Sequence, residues 1–459
     1  MPTRRPRPGA GRGAGGGPHR GGASRPRLWS WNFNLFFTAR AVAKLGDTML
    51  PVALAAGLLQ HGYGAGAVGL AMAASVACFA GLVIFGGVFA DRFSPRLLMI
   101  GSDVLRLGTQ ALTAGLFFSG HVVLWQICVI GAVNGAAAAI FQPGVASTVP
   151  RLAADVQAAN GAIRVAESTA HLAGPALAGL LVAVSSPGGV FAAHAATYGV
   201  SALCLVLMRL PAPAPDDRGH PHGFRADLVE GWREFRARTW LWGVIAVWCA
   251  YSVAVAGPAI PLVATEVIQD HDPRAYGLVN SALGAGTVIG GLIALRLRPR
   301  RMLRAGSIAL FGFAAHPATV GANLPVWAMC LGAAVAGAGG SFWAVMWATS
   351  VQTQVPPDVL NRIHAYDVAG SLAMMPVGQA LAGPAATATA AGGDGVLLFG
   401  AVMAVAVPAT LLLVPAIRGL VRADPRPAPV IAGGPGSPPE QPPAVRPGGG
   451  AGRREPAEG

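Results

Sequence analysis

Long apolar stretches alternate with short polar segments along most of the chain. An α-helix rises 1.5 Å per residue, so roughly 20 apolar residues cross about 30 Å of hydrocarbon. We predict twelve membrane-spanning helices, at 32–58, 66–90, 97–119, 121–146, 158–184, 189–210, 240–265, 276–295, 303–321, 325–350, 365–390 and 395–417. The pattern therefore predicts an all-α integral membrane protein built from two halves of six helices.

The polar segments set the predicted domain boundaries. Both ends of the chain are rich in Gly and Pro and lack an apolar pattern, so we expect two disordered cytoplasmic tails. The longest internal polar segment has an apolar stripe that predicts an amphipathic helix on the inner membrane surface, formed by Phe224, Leu228, Trp232 and Phe235. The predicted units are a tail at 1–30, a bundle at 31–210, a linker at 211–239, a second bundle at 240–420 and a tail at 421–459.

Composition narrows the class of function. Of the 459 residues, 53% are apolar and 12% are charged, whereas about a quarter of the residues of a soluble domain carry charge. An ordinary soluble enzyme is therefore excluded. Lys44 is the chain's one lysine and Leu45 follows it, which excludes the Gly-Lys-Ser/Thr phosphate loop of an ATP-driven pump. The five cysteines lack metal-ligand spacing. We expect no enzymatic activity, no cofactor and no metal site.

The net charge of +13 is explained by membrane orientation. Of the 33 Lys and Arg residues, 28 lie in the two tails or in, or next to, the loops on the same side of the membrane as the tails. The loops on the opposite side contain only Arg274. Cytoplasmic segments of membrane proteins carry such an excess of basic residues. We predict a multi-pass protein of the cell (inner/plasma) membrane with both termini in the cytoplasm, anionic lipid as the basic residues' partner, and no nucleic-acid partner.

An internal repeat relates the two predicted halves. Segments 86–96 and 290–300 align without a gap, with six of eleven positions identical, and each joins the second and third helix of its half. The sequence Leu-Ala-Gly-Pro-Ala occurs at both 172–176 and 381–385, on the fifth helix of each half. Halves of the same orientation imply an axis along the membrane normal and a substrate cavity between them.

Two of these segments resemble motifs of the major facilitator superfamily. The loop after the second helix is similar to the family's G-x-x-x-D-R-x-x-R-R motif, with one basic position shifted or lost. It contributes Gly87, Asp91, Arg92 and Arg96. Segment 170–179 is similar to the family's helix-five antiporter motif, with alanine replacing glycine at two positions. It contributes Gly174, Pro175 and Gly179.

Shorter matches resemble one branch of that family, the macrolide-efflux-type drug:proton antiporters. They are Asn34-Leu35-Phe36, Leu45-Gly46-Asp47, Val355-Pro356 and Asn361-Arg362. The resemblance implies a secondary transporter that exports a bulky, largely apolar small molecule in exchange for protons by alternating access. Alternatives of the same fold are a siderophore or natural-product exporter and an uncoupled facilitator. An alternative of another class is a non-transporting membrane sensor or scaffold. We expect a monomer.

Charged residues within the spans are the candidates for proton coupling, because a charge in a bilayer usually faces a cavity or another charge. Arg40, Lys44 and Asp47 share one face of the first helix, and Asp47 is the leading candidate for the proton-carrying group. The alternative is a permanent structural pair with Lys44. Glu167 is the second candidate, with Arg164 as its expected partner.

Two further acids are assigned to gating. Asp103 and Arg106 share a face of the third helix and predict a packing or gating salt bridge. The resemblance implies that Asp91 faces the amino terminus of helix eleven and holds the inner gate shut. The alternative is that Asp91 only shapes a tight turn with Arg92. Leu295 stands at the equivalent position of the second half.

Aromatic and amide side chains in the second half suggest a substrate cavity for a large, partly apolar ligand. The candidates are Tyr251, Asn280, Trp343, Trp347 and Gln379. Lipid-facing positions are an equally good interpretation of the tryptophans. We interpret His194 and His316, single histidines in apolar spans, as structural residues.

Overall fold

The computed structural model describes residues 29–83, 94–153, 156–209, 232–297, 299–355, 363, 366–367 and 370–421. Within them every regular element is a helix. The helices of the first half are α1 (Trp31–Gln60), α2 (Ala65–Val83), α3 (Pro95–Ser119), α4 (Leu124–Leu152), α5 (Val156–Val184) and α6 (Pro187–Leu207). Those of the second half are α7 (Thr239–Asp270, with a π turn at Ser252–Ala256), α8 (Pro273–Arg296), α9 (302–321, with a 3₁₀ turn at Leu310–Ala314), α10 (Val326–Gln354), α11 (Met375–Ala388) and α12 (Gly392–Leu413).

Among the described residues, four helices begin at a side-chain cap. Each capping oxygen accepts a hydrogen bond from the N–H three residues ahead, at 2.7 to 3.2 Å, which satisfies one of the free donors of the first turn. The caps are Ser30 for α1, Ser94 for α3, Ser186 for α6 and Asp272 for α8. In three of these helices a proline occupies the first position, where its missing N–H costs nothing.

The membrane character of the fold is confirmed. Among the described residues, nine helices are long and apolar enough to cross a bilayer: α1, α2, α4 to α8, α10 and α12. The remaining three predicted spans are α3, α9 and α11. Helix α3 carries the charged residues Asp103 and Arg106, and α9 is divided by the 3₁₀ turn. Helix α11 begins after the undescribed residues 368–369. The count of twelve spans stays a prediction.

The two halves share one hydrophobic core near the turn that joins α1 to α2. Leu54 and Val68 of the first half lie in one buried cluster with Leu262, Tyr276 and Leu397 of the second. We call this end of the bundle the closed end. The predicted topology places it on the outer side of the membrane.

At the opposite end the described residues of each half form separate cores. In the first half, Phe36 at the start of α1 packs with Met99 and Leu205. In the second half, Leu241 at the start of α7 packs with Phe235 of the linker. Among the described residues, the hydrophobic cluster that joins the two halves therefore lies at the closed end.

Small residues let the halves cross closely at the closed end. On α8, Gly277 lies so near the Pro175 carbonyl of α5 that an added Cβ would approach its oxygen to 2.6 Å. Pro175 has no N–H of its own, and the following N–H, of Ala176, donates to Ser281 Oγ at 3.1 Å. The crossing of α2 with α11 repeats the arrangement, with Gly66 against Gly383. The two Leu-Ala-Gly-Pro-Ala segments therefore occupy equivalent inter-half contacts.

The linker helix and the tails fall largely outside the described residues. Phe224 and Leu228 lie outside them, as do 1–28 and 422–459. Trp232 and Phe235 are described, and their rings stack at 5.6 Å. Phe235 is buried in the core of the second half, so this end of the linker packs against protein.

Candidate functional site

The carboxylate of Asp47 lies between three helices of the first half. Tyr198 of α6 donates a 2.5 Å hydrogen bond to Asp47 Oδ1. His194 Nε2 lies 3.5 Å from the same oxygen, and Arg106 Nη2 of α3 lies 4.0 Å from it. Helix α1 thus presents its acid to a phenol, an imidazole and a guanidinium at once.

A second carboxylate shares the same guanidinium. Asp103 is fully buried, and its Oδ2 accepts a 2.5 Å hydrogen bond from Ser201 of α6. Arg106 Nη1 lies 3.9 Å from Asp103 Oδ1, and the Arg106 guanidinium lies 4.7 Å from the Tyr198 ring centroid. We call Asp47, Asp103, Arg106, His194, Tyr198 and Ser201 the polar cluster. It holds two acids for one permanent cation.

Several buried atoms of the polar cluster have no hydrogen-bond partner among the described residues. They are Asp103 Oδ1, Arg106 Nε and both ring nitrogens of His194. Unpaired buried polar atoms cost free energy, and in native proteins they often mark groups that change partner. The cluster therefore has free hydrogen-bonding capacity within a buried site.

Glu167 forms a separate ion-pair group nearer the other end of the bundle. Arg40 donates to Glu167 Oε1 at 2.7 Å, and Arg164 donates to Oε2 at 3.1 Å. The Arg40 and Arg106 guanidinium groups both contact the Phe141 ring, at 5.6 and 5.9 Å from its centroid. Arg164 is 83% exposed, so Arg40 is the stronger partner of Glu167.

The expected polar face of α1 is divided between these two groups. Arg40 turns to Glu167 of α5, whereas Asp47 turns to α3 and α6. The described ion pairs of Asp47 within 4 Å involve Arg106 and His194, so Lys44 is not among its partners at that distance. The ion-pair partners of Asp47 therefore come from the neighbouring helices α3 and α6 and not from the preceding turn of α1.

Three residues of α6 complete the polar cluster and were missed or interpreted as structural. His194, Tyr198 and Ser201 stand at i, i+4 and i+7, which places them on one helix face. That spacing was visible in the sequence. Between 187 and 207 the helix carries no Asp, Glu, Lys or Arg, so charge within the span does not single it out.

Of the gating candidates, the structure describes Arg96 and the predicted Asp103–Arg106 salt bridge, whose atoms lie 3.9 Å apart. Gly87, Asp91 and Arg92 lie in 84–93, outside the described residues. Arg96 is described, and it donates to the carbonyls of Leu205 at 2.9 Å and Val206 at 2.5 Å. It thereby satisfies free carbonyls at the end of α6. Asp103 and Arg106 belong to the polar cluster in the interior of the first half.

The helix-five motif lies at two helix crossings. Gly174 faces Thr48 of α1, whose hydroxyl donates to the carbonyl of Ala170 at 2.9 Å. Gly179 faces Pro273 at the start of α8. The motif therefore seats α5 against α1 on one side and against the second half on the other.

The five substrate candidates are distributed over three adjoining cavities that share lining residues. Tyr251 and Asn280 line a cavity of about 310 Å³ that also includes His316. Trp343 and Trp347 line one of about 440 Å³, where Trp347 Nε1 donates to Asp367 at 3.0 Å. The rings of Trp343 and Trp347 stack at 6.0 Å, and Trp343 is buried in the second half, away from lipid. Phe313 and Gly340 line both of these cavities, so the two cavities adjoin inside the second half.

Gln379 lines the third cavity, of about 270 Å³, which lies between the halves. Gln110 of α3, unremarked in the sequence, lines the same cavity, as does Ile260 of α7. We call it the glutamine cavity.

The family follows from a comparison with known proteins. The model of the Major Facilitator Superfamily matches residues 36–366. The chain belongs to the major facilitator superfamily. It is therefore a multi-pass membrane protein of a family that transports small molecules, and not an enzyme.

Curated superfamily relatives confirm the predicted resemblance to efflux proteins. Macrolide efflux protein A of Streptococcus pyogenes is 21% identical over 374 residues, which cover 77% of this chain and 89% of that protein. Multidrug efflux pump Tap of Mycobacterium tuberculosis (strain ATCC 25618 / H37Rv) is 25% identical over 371 residues, covering 76% and 86%. Enterobactin exporter EntS of Escherichia coli O1:K1 / APEC is 25% identical over 403 residues, covering 81% and 90%.

Solved superfamily structures share the fold. A peptide transporter POT in complex with sulfate aligns with a TM-score of 0.66 at 12% identity, covering 85% of this chain and 96% of that one. Nucleoside transporter NupG aligns with a TM-score of 0.63 at 12% identity, covering 82% and 98%. At such identities the likeness establishes the architecture.

Proposed function

We propose that this chain exports a bulky, largely apolar small molecule from the cytoplasm in exchange for protons, with Asp47 as the proton-carrying group. The observation that carries the proposal is the placement of Asp47 at mid-span of α1, where its side chain is 32% exposed and lies within 4.0 Å of Tyr198, His194 and Arg106. Acids within membrane spans mark substrate or proton pathways by default.

The polar cluster has two carboxylates and one guanidinium, which suggests how a proton on Asp47 would change the contacts between helices. Arg106 lies 4.0 Å from Asp47 and 3.9 Å from Asp103, near the limit of an ion pair for each. A proton on Asp47 removes its attraction for the guanidinium, so Arg106 moves fully to Asp103. Loss of the proton draws Arg106 back and pulls α1, α3 and α6 together. Protonation thus changes how three helices pack.

Alternating access is supported by the unequal cores of the two ends. The shared core and the glycine crossings close one end, whereas the described residues form separate cores at the other. With both termini in the cytoplasm, as we propose, this state faces inward and receives its substrate from the cytoplasm. Rocking of the halves would exchange which end is closed.

The efflux relatives support the outward direction of transport. The macrolide and multidrug names favour a drug or natural product as cargo, and the enterobactin exporter favours a siderophore as the second candidate. We further propose a monomer in the plasma membrane whose basic residues face anionic lipid and not nucleic acid. Glu167 stays the second proton candidate, and the gate role of Asp91 stays a prediction.

Transport by the purified chain in proteoliposomes tests the proposal. Vesicles with an imposed pH gradient and an internal pH dye are challenged with a panel that includes erythromycin and a catechol siderophore. An antiporter accumulates its substrate against a gradient and releases protons. Equilibration that ignores the pH gradient would identify a facilitator, and binding without flux would identify a sensor.

A further inference from the structure

The glutamine cavity is lined by two buried amide side chains, those of Gln110 and Gln379. Gln110 and Gln379 are each 3% exposed. Among the described residues neither Gln110 Oε1 nor Gln379 Oε1 has a hydrogen-bond partner. A buried amide oxygen without a partner lowers the stability of the fold, so its retention points to a partner from outside the protein.

Two neighbouring polar side chains of the same wall, Asn134 and Thr113, are hydrogen-bonded within the protein. Asn134 Nδ2 donates to the Ile130 carbonyl at 2.9 Å, and Asn134 Oδ1 accepts from Thr109 Oγ1 at 3.1 Å. Thr113 Oγ1 donates to the Thr109 carbonyl at 2.9 Å. The free hydrogen-bonding capacity of these amides is therefore concentrated on the two glutamines.

Apart from Ser75, Thr113 and Asn134, the rest of the described wall is apolar, and it carries no charge. Leu50, Met72, Ile127, Phe191 and Ile260 line the cavity, and no Asp, Glu, His, Lys or Arg is among the described residues that do. An ion placed there would lose its water without gaining a counter-charge, which is costly. A neutral apolar body loses nothing by the same transfer.

The two glutamines belong to different halves of the bundle. Gln110 lies on α3 of the first half, and Gln379 lies on α11 of the second, beside the α2–α11 crossing. A ligand that hydrogen-bonds to both amides therefore bridges the two halves in this state, in which they are joined at the closed end. Binding therefore favours that state over one in which the amides have separated.

We propose that the glutamine cavity binds a neutral, mostly apolar compound that hydrogen-bonds to Gln110 and Gln379. The unpaired atoms are amide oxygens, which accept hydrogen bonds, so the ligand needs an O–H or N–H donor for each of them. The compound's role as cargo rests on the proposed function, but its binding requires no proton gradient. The chemistry selects against organic cations at this position.

Equilibrium binding to the purified full chain in detergent, without a pH gradient, tests this inference. Chloramphenicol is the neutral probe, because it combines an aromatic ring with hydroxyl and amide groups. Tetraphenylphosphonium is the permanently charged probe. The variants are Gln110→Met and Gln379→Met, which keep the side-chain shape and remove the amide. Gln126→Met is the matched control, since Gln126 Oε1 is also buried and unpaired among the described residues but does not line the cavity.

We expect each of the two cavity variants to bind chloramphenicol about tenfold more weakly, while Gln126→Met binds it as the parent does. Melting temperatures should stay equal or rise, because each substitution removes an unpaired buried group. Affinity for tetraphenylphosphonium should be the same in all variants. No binding of chloramphenicol by the parent, equal affinity in the cavity variants, or a parallel loss for both probes would overturn the inference. Glutamine-dependent binding without proton-driven flux would instead overturn the proposed function alone.

Discussion

The hydroxyl of Tyr198 donates to the carboxylate of Asp47 at 2.5 Å and so ties α6 to α1 in the interior of the first half. The same carboxylate lies 4.0 Å from Arg106 of α3. Tyr198 therefore competes with Arg106 to stabilise one charge, and the strength of this hydrogen bond sets how readily Asp47 takes up a proton.

Replacing Tyr198 with phenylalanine removes that donor and keeps the ring. The Asp47 anion then loses one of its stabilising hydrogen bonds, worth about 1–3 kcal/mol for a charged acceptor. The pH at which proton-driven transport is half-maximal should rise by about one to two units, which a pH profile of uphill uptake in proteoliposomes measures. Tyr63→Phe is the control, because the Tyr63 hydroxyl donates to the Val122 carbonyl, outside the polar cluster. Equal profiles in parent and Tyr198→Phe would contradict the competition.

Glu167→Gln separates the two acid candidates. The substitution leaves Arg40 without its 2.7 Å partner, so the fold should lose about 1 to 3 kcal/mol while proton-driven transport persists. Thermal unfolding and transport are measured on the same preparation. The double variant Arg40→Gln/Glu167→Gln should recover much of the lost stability, because the uncompensated charge is gone. Abolished coupling in a stable Glu167→Gln protein would transfer the proton role to Glu167.

Gly277→Ala should open the closed end. The added methyl group collides with the Pro175 carbonyl at the α5–α8 crossing and forces the halves apart there. Distances between spin labels at the α1–α2 and α7–α8 turns should lengthen relative to the parent. Gly291→Ala on the same helix is the control, since its Cβ would meet only Ser341 Oγ at 3.5 Å. Unchanged distances for Gly277→Ala would mean that this crossing does not hold the end shut.

Arg96→Gln should destabilise the first half without affecting proton coupling. The Arg96 guanidinium donates hydrogen bonds to the Leu205 and Val206 carbonyls at the end of α6. The substitution removes these hydrogen bonds and leaves both carbonyls without that partner. We expect a melting temperature lower by about 2 to 6 °C for a loss of roughly 1 to 2 kcal/mol. Arg304→Gln, at an exposed position, should melt as the parent does. If Arg96→Gln melted as the parent does but changed proton-driven transport, the result would instead support the predicted gating role of Arg96.

The helices and their membrane character were predictable because apolar runs and caps are local features of the chain. Ser94 followed by Pro95 begins α3 almost where the pattern predicted the third span. Asp47 was identifiable as a charge in an apolar stretch. Its partners were not, because they depend on which faces of α3 and α6 meet α1, and this is decided by packing between residues far apart in sequence.

The substrate candidates show the same limit. Trp343 and Tyr251 are both aromatic residues at mid-span, yet one lies in the tryptophan-lined cavity and the other in the cavity that contains His316. In the sequence Gln110 looks like any other polar residue of α3. Its place in a cavity between the halves becomes visible only because Gln379 of the second half lines the same cavity. Contacts between halves cannot be predicted from the periodicity of a single helix.

The most direct test of the account is proton-driven transport by Asp47→Asn, compared with Asp47→Glu. Uphill substrate accumulation and proton release are recorded together in proteoliposomes with an imposed pH gradient. We predict that Asp47→Asn binds and equilibrates substrate but neither accumulates it nor releases protons, while Asp47→Glu retains part of both. Normal uphill accumulation by Asp47→Asn would contradict the central claim that this carboxylate carries the proton.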